Sequence, residues 1–493
     1  KIVAKLGIRR ASLPARGMVV ADTTDIAPTD TSRALKLLDN VTRDELLEHL
    51  PCVVLARDTI VCRSLGLSPA RTLTIKPNNE DASLMYFDPA TRAQAEEAGA
   101  DQATVEVGDG MRIPVLIPES DQFAARLRKV AKQRRRWAKR EGVTCYRVYD
   151  ADLPDYAAAI DLYEGAPDTP GRWLVVAEYA APKSVDPELA QARLMAIAPA
   201  VLDVPASHVA TRARTRSRGG SQYAQGPRGS KGGKGAGAPK RDMLNDPTLP
   251  NIQEGGLTFT VNFDDYLDTG IFLDHRVTRG LVREHAKKAR WFLNLFAYTG
   301  TATCYAADAG VEETVTVDLS NTYLDWAERN MRQNGFTGSN HYFVRDDVLA
   351  WIREQRQTDN RWDLIFCDPP TFSNSSKMGR RTWDVQRDHV DLIVGISRLL
   401  TREGEAIFSC NLRTFKPDTE ALARAGVVLT NITEQTIPED FARNKRIHHC
   451  YIVKRYRIED AMRLAGMDDA AISARQAELR EHERDHGRNQ RAE

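Results

Sequence analysis

The sequence predicts an α/β fold, a doubly wound and largely parallel sheet, and three stretches between Trp291 and Met378 predict it. The first, Phe292-Leu293-Asn294-Leu295-Phe296, is short and apolar enough for a buried parallel strand, and Ala297-Tyr298-Thr299-Gly300-Thr301-Ala302-Thr303 turns it into a helix. The second, Thr314-Val315-Thr316-Val317-Asp318-Leu319, follows about twenty residues later and brings a carboxylate to a strand end. The third, Asp363-Leu364-Ile365-Phe366-Cys367-Asp368-Pro369-Pro370-Thr371-Phe372, leaves its strand through two prolines that fix φ and remove two amide donors.

Each stretch carries its own chemistry. A glycine turn lets backbone approach a ligand, and Asp318 stands where a carboxylate takes both hydroxyls of a ribose. The stiff proline loop turns carbonyls outward and suits a planar purine. The order and spacing of the three read as the cofactor and target sides of a class I S-adenosylmethionine (SAM) methyltransferase with a Rossmann-like sheet. The remaining strands fit around them. A helix from Thr322 to Asn334 follows the second strand, Tyr342 to Asp347 is the third, and Glu405 to Asn411 is the fifth. Ile432 to Ile437 and His448 to Val453 complete an expected seven-stranded sheet. The cofactor-binding candidates are Asp274, Arg276, Asn294, Phe296, Tyr298, Thr299, Gly300, Asp318, Ser320, Asp347 and Asp368, with Asp347 placed to accept from the adenine amino group. Asp274-His275-Arg276 opens a helix that can cover the methionine end of the cofactor, so structure and cofactor contact are favoured over proton transfer there.

At 55.1 kDa the chain is too long for one core, and two or three domains are expected. The seven cysteines contain no Cys-x-x-Cys, which argues against a zinc site or disulfide framework and fits a reducing cytoplasm. No metal is expected. No apolar run reaches membrane-spanning length, and the start carries no signal-peptide pattern, so a soluble protein is expected. The chain begins at Lys1, in what reads as mid-domain, as a fragment of a longer protein would.

Five regions follow in order. Residues 1–115 read as a partial α/β domain, with Gly17 to Asp22 a buried strand, a helix from Thr31 to Leu50, and strands at Cys52–Ala56 and Ser83–Phe87. Asp22-Thr23-Thr24-Asp25 reads as a polar loop with a capping Asp rather than an acid or metal site. Residues 116–210 form a small α+β module. Within it, residues 126–140 hold nine Lys or Arg and no acid, while Phe123, Leu127, Val130 and Trp137 recur at helical spacing. One face packs and the other is positive, so Arg128, Lys129, Lys132, Arg135, Arg136 and Lys139 are assigned to RNA. Residues 211–250 are a Gly-, Arg- and Lys-rich linker in which Arg216 and Arg218 can track RNA. Residues 251–456 are the catalytic domain. Residues 457–493 are a charged tail, expected to be helical or frayed.

Residues from about 120 to 455 resemble the guanine-N7 domain of the bifunctional RlmKL-type 23S rRNA methyltransferases. The segments that carry the resemblance are Ser120 to Ala124 with Arg126 to Lys129, Cys145 to Pro154, Tyr266 to Gly270 with Phe272 to Arg276, Asn294 to Gly300, Asp368 to Ser375, and Asp440 to Asn444. The resemblance implies SAM as donor and a guanosine of 23S rRNA, or of a large-subunit precursor, as acceptor. It also implies an N-terminal companion that methylates a guanine exocyclic amine. Where that companion carries Asn-Pro-Pro-Tyr, this chain has Asp22-Thr23-Thr24-Asp25, which offers neither stacking nor a rigid turn. The first domain is therefore expected to lack that activity.

Guanine N7 has a lone pair and no proton, so no general base is required and alignment carries the chemistry. On this view Asp368 and the carbonyls of Pro369 and Pro370 orient the base, Phe372 stacks on it, and Ser373, Asn374 and Lys377 steady the RNA backbone. Two other readings share the same elements. Cytosine C5 methylation needs a thiolate, and Cys410 ends the strand beside Asp368. A non-catalytic rRNA-binding assembly factor needs only the basic stretches.

Overall fold

A computed structural model of the chain describes residues 19–22, 51–56, 71–75, 82–87, 104–108, 111–114, 121–179, 194, 197–199, 201–205, 208–213, 242–266, 268–373 and 382–489. In the first region, strands β1 (Val19–Asp22), β2 (Cys52–Ala56), β3 (Arg71–Ile75) and β4 (Ala82–Phe87) form a sheet in the order β1-β2-β4-β3. Among the described residues β1 pairs only with β2, in parallel, and Val20 is 42% exposed, so the strand expected to be buried is an edge there. β3 was not expected, because Arg71-Thr72-Leu73-Thr74 is exposed throughout and has no apolar face to read. A hairpin of β5 (Thr104–Gly108) and β6 (Met111–Pro114) follows. The expected helix from Thr31 to Leu50 and residues Thr23 to Asp25 lie outside the described residues.

The basic stretch is a helix, α1 (Asp121–Glu141), and its buried Phe123, Leu127 and Trp137 are the residues the helical spacing selects. They pack on a sheet in the order β10-β9-β8-β7, made of β7 (Tyr146–Asp150), β8 (Ala158–Glu164), β9 (Arg172–Glu178) and β10 (Val209–Ala213). The described Leu194 and Ile197 of the module are helical. β10 takes in Arg212, which the composition assigned to the linker; its guanidinium donates to the Phe263 carbonyl at 2.7 Å.

The module and the catalytic unit share one core. Cys145, Tyr163 and Val175 pack with Phe259, Phe263, Leu273 and Phe441. Buried Arg147 of β7 pairs with Asp161 at 2.7 Å, while its amide donates to Asp440 Oδ2 at 2.9 Å.

The catalytic unit opens with a hairpin, β11 (Asn251–Glu254) and β12 (Leu257–Thr260). Met243 and Leu249 pack on Trp326, so its packing reaches back before residue 251. Then come α2 (Arg276–Ala286), β13 (Trp291–Leu295), α3 (Thr301–Asp308), β14 (Glu313–Asp318), α4 (Asn321–Gln333), β15 (His341–Arg345), α5 (Val348–Gln355) and β16 (Trp362–Cys367). A small ladder of β17 (Phe372–Ser373) and β18 (Trp383–Asp384) leads to α6 (Val385–Ser397), β19 (Leu400–Cys410), α7 (Thr419–Arg424), β20 (Val427–Asn431), α8 (Thr433–Thr436) and β21 (His449–Arg455). The seven long strands form one sheet in the order β15-β14-β13-β16-β19-β21-β20, in which β21 alone runs against the rest. This mostly parallel sheet with helices is a class I methyltransferase fold.

The sixth strand lies at 427–431, not at 432–437 where the β-branched run placed it. Ile432 still donates to the Cys450 carbonyl, but the Thr433 hydroxyl takes that same carbonyl and the Thr436 hydroxyl takes the Thr433 carbonyl, so the backbone turns into α8. The tail is anchored rather than frayed at its start. Through α9 (Ile458–Leu464) and α10 (Asp469–Asn489), Met462 and Ile472 are buried against Ala423.

One buried ion pair fixes the hairpin to the sheet. Glu254 receives two hydrogen bonds from Arg279 of α2, at 2.7 and 2.9 Å, and one from the Tyr305 hydroxyl at 3.0 Å; both charged side chains are almost fully buried. Removing one partner strands a charge in a dry core. Glu254→Ala should destabilise the chain by about 3–5 kcal/mol in denaturant unfolding, whereas a loss under about 1 kcal/mol would show that the guanidinium finds water.

Candidate active site

β13 is the switch point of the sheet, because the chain proceeds from it to β14 and β15 on one side and later to β16 and β19 on the other. A crevice at such a point, outside the carboxyl ends of the strands, is where doubly wound folds hold ligands. Asp318 ends β14 and Asp368 follows β16, so the two carboxylates stand at the same end of the sheet, on the two neighbours of β13.

The turn after β13 is tightly wound. Phe296, Tyr298 and Gly300 all have positive φ, at 55°, 51° and 66°. At Gly300 a Cβ would lie 2.6 Å from the Ala327 Cβ, so glycine is required by space as well as by φ. Asp318 secures the turn: Oδ2 accepts from the Tyr298 amide at 3.0 Å and Oδ1 from the Ser320 amide at 2.8 Å. Ser320 also caps α4. A carboxylate has about four acceptor sites, so Asp318 can hold these amides and still meet hydroxyls.

Several candidates are structural in placement. Asn294 is buried within β13 and donates to Thr303, which bonds Thr316 in turn. The Asn294 Oδ1 is buried and has no hydrogen-bond partner among the described residues. Thr299 is fully buried, its hydroxyl donating to the Gly270 carbonyl at 2.5 Å. The Tyr298 hydroxyl accepts from the Gly270 amide at 2.9 Å. Phe296 stands 6.1 Å from Trp383, ring to ring, and links the glycine turn to the proline loop. Asp347 Oδ1 caps α5 by accepting from Ala350 at 2.9 Å.

The proline loop is braced from outside. Trp383 Nε1 donates to the Pro370 carbonyl at 2.6 Å, and the Thr371 hydroxyl donates to the Asn411 side chain. The Pro370 carbonyl is thus engaged by the protein, contrary to the expectation that both proline carbonyls face a base. Phe372 sits half-buried on β17. Asn374 and Lys377 lie outside the described residues.

The turn before α2 brings a third group in. Asp274, His275 and His448 offer ligand atoms that all lie within 4.8 Å of one another, a spacing that could hold a metal ion, although the cysteine pattern had pointed away from one. The His275 imidazole is buried and makes no hydrogen bond among the described residues; Nε2 lies 3.7 Å from Asp274 and 3.9 Å from Asp368. Burial pushes His275 below the ordinary imidazole range against the pull of Asp368 and Asp274, so it is neutral at pH 7. Burial also works against the Asp274 charge, but His275 and His448 beside it more than offset this and hold it well below the usual carboxylate range. Arg276 turns away from this group. Its guanidinium donates to the Cys145 carbonyl at 2.8 Å and to Asp440 at 2.5 Å, so it joins the module to the catalytic unit rather than facing the crevice.

Cys410 is fully buried at the end of β19, and burial pushes its thiol up to about 12. Of the nine cations at 126–140, Arg126 pairs with Asp152, and Arg134 and Arg140 meet Glu439, so fewer are uncompensated than composition implied. Lys129, Lys132, Arg135, Arg136 and Lys139 are exposed and Arg128 half-buried, while Arg216 and Arg218 lie outside the described residues.

Residues 245–442 match the family described as S-adenosylmethionine-dependent methyltransferase. A "Ribosomal RNA large subunit methyltransferase K/L" of Allochromatium vinosum is 48% identical over 340 residues, which cover 68% of this chain and 43% of that protein. One of the same name from Methylococcus capsulatus is 46% identical over 397 residues, covering 78% of this chain and 50% of that protein. The chain spans about half the length of the curated relatives it matches. A crystal structure of SMU.776, complexed with SAH, superposes at a TM-score of 0.50 and 19% identity, covering 89% of this chain and 99% of that one, a likeness of fold. No described helix is long and apolar enough to cross a membrane.

The neutral His275 has a measurable consequence. Unfolded, its pKa returns to about 6.5 and it binds a proton that the folded chain refuses. Stability should therefore fall as pH drops through 6.5, and His275→Asn should flatten that dependence between pH 7 and 5. Identical pH profiles for both proteins would contradict the burial account.

Proposed function

We propose, from the premise that residues 245–442 form a domain of the S-adenosylmethionine-dependent methyltransferase family, that this chain methylates N7 of a guanosine in 23S rRNA or its large-subunit precursor. The observation that carries the reading is the placement of Asp318 and Asp368 at the ends of β14 and β16, either side of the glycine turn. The large-subunit rRNA relatives support the substrate class.

Asp318 takes the ribose hydroxyls while clamping the turn, and Asp347 meets the adenine with the carboxylate oxygen that does not cap α5. Asp274 and Asp368 hold the methionine ammonium, with the neutral His275 between them adding no repulsion to a cationic donor. The group of Asp274, His275 and His448 is thus read as part of an ammonium site rather than a metal site.

The base lies against the Asp368-Pro369-Pro370 loop, with Phe372 stacked on it. The N7 lone pair attacks the methyl carbon as the carbon–sulfur bond breaks; the pair goes to sulfur and the positive charge passes to the purine. No proton moves, so the site needs alignment and a negative field, and the two carboxylates supply that field. Cytosine C5 transfer needs a thiolate, and the burial of Cys410 pushes its thiol up, away from that form.

The division into residues 1–115, 116–210, 211–250, 251–456 and 457–493 belongs to the same reading. The first region lacks guanine-N2 activity, the basic face of α1 with Arg216, Arg218 and Lys377 holds RNA, and the protein works in the cytoplasm.

The test is product analysis. The chain is incubated with SAM carrying a labelled methyl and with unmodified 23S rRNA, and the digested nucleosides are separated. Labelled 7-methylguanosine is expected, with Cys410→Ala keeping most of the activity. Labelled 5-methylcytidine, abolished by Cys410→Ala, would overturn the N7 assignment, and labelled N2-methylguanosine would overturn the inactive first domain.

A further inference from the structure

Beneath the basic helix, away from the crevice, α1 and the module's sheet enclose a cavity of about 290 Å³, near the lower end of the range for small-ligand sites. Its floor is apolar, with Ala138 from α1, Val148 from β7, Leu162 from β8 and Leu202 all buried. Its rim is charged, with Arg135 and Lys139 from α1, Arg172 from β9 and Glu164 at the end of β8. Arg135 and Lys139 are exposed and make no ion pair with any described residue, whereas Arg134 and Arg140 on the same helix meet Glu439.

Polar groups interrupt the apolar wall, Thr144 and Tyr146 among them. Tyr146 is 6% exposed and lines the cavity, and its hydroxyl has no hydrogen-bond partner among the described residues. The hydroxyl is not sealed from solvent, so it opens onto the cavity and can meet a ligand group there. An apolar slot with a tyrosine hydroxyl on its wall and three cations at its mouth, of which Arg172 also meets Asp203 at 3.7 Å, matches a flat heterocycle joined to a phosphate. Glu164 adds an acceptor suited to an exocyclic amino group.

We infer that this cavity holds one unstacked nucleotide of the substrate RNA, its base on the apolar floor against the Tyr146 hydroxyl and its phosphate on Arg135, Lys139 and Arg172. The inference rests on the rRNA reading and deepens it. The exposed face of α1 meets only phosphates, which carry no information about pairing, whereas the cavity admits a base only from an open strand. The module then anchors single-stranded RNA beside the target and favours rRNA whose helix is already parted.

The experiment measures binding of the full chain to a 12-nucleotide single-stranded RNA, to a duplex of the same length, and to free nucleoside monophosphates. Val143 lines the cavity and is only partly buried, so Val143→Trp fills it at unchanged charge. Single-strand affinity should fall about tenfold, the scale of one base–aromatic contact, with duplex and SAM affinity unchanged. Tyr146→Phe should cost single-strand affinity a few-fold in the same direction, which covers a misfolded tryptophan variant. Lys132→Ala, outside the cavity, should weaken both RNAs alike and lower the salt slope by about one.

Equal single-strand affinity for the folded Val143→Trp, Tyr146→Phe and unaltered chains would overturn the cavity assignment alone. So would a nucleoside monophosphate binding as tightly as the RNA. An unaltered chain that binds SAM but no RNA would instead sink the rRNA reading itself.

Discussion

The Asp318 carboxylate clamping the amides of Tyr298 and Ser320 is the interaction on which the rest of the site depends. It ties β13 to β14 at their carboxyl ends and holds a turn whose Phe296 and Tyr298 take up left-handed backbone, which costs free energy for side chains other than glycine. Such a turn persists only where its surroundings over-determine it. Gly270 does so from the other side, since its amide and carbonyl engage Tyr298 and Thr299. The crevice is preformed because its wall has one way to fold.

The same economy links the site to the module. A single turn carries Asp274 and His275 toward Asp368 and, one residue later, sends Arg276 to Cys145 and Asp440. Asp440 also takes the Arg147 amide of the module's first strand. The module and the Asp274 turn are thus joined through Arg276 and Asp440.

The parallel core was legible because strands buried on both faces read as apolar runs, and Asp318, Gly300 and Asp368 were legible because turn and proline chemistry mark strand ends. Strands β3 and β10 were less so. β3 is exposed along its length, and β10 hides at the edge of a stretch whose composition reads as linker. Residues 432–437 misled because a β-branched run looks like a strand until its threonine hydroxyls turn inward to the backbone. Asn294, Arg276 and the Pro370 carbonyl were named from position along the chain, and partners distant in sequence, Thr303, Asp440 and Trp383, decided where they point. His448 was read only as the start of a strand, since only the fold brings it 3.3 Å from Asp274.

The most direct measurement is calorimetric titration of SAM into the chain and into Asp318→Ala. The account predicts one site per chain, weakened by about a hundredfold in the variant because two charge-assisted ribose contacts and the clamp on the turn are lost together. Equal affinity in the two proteins, or no binding by the unaltered chain, would contradict it.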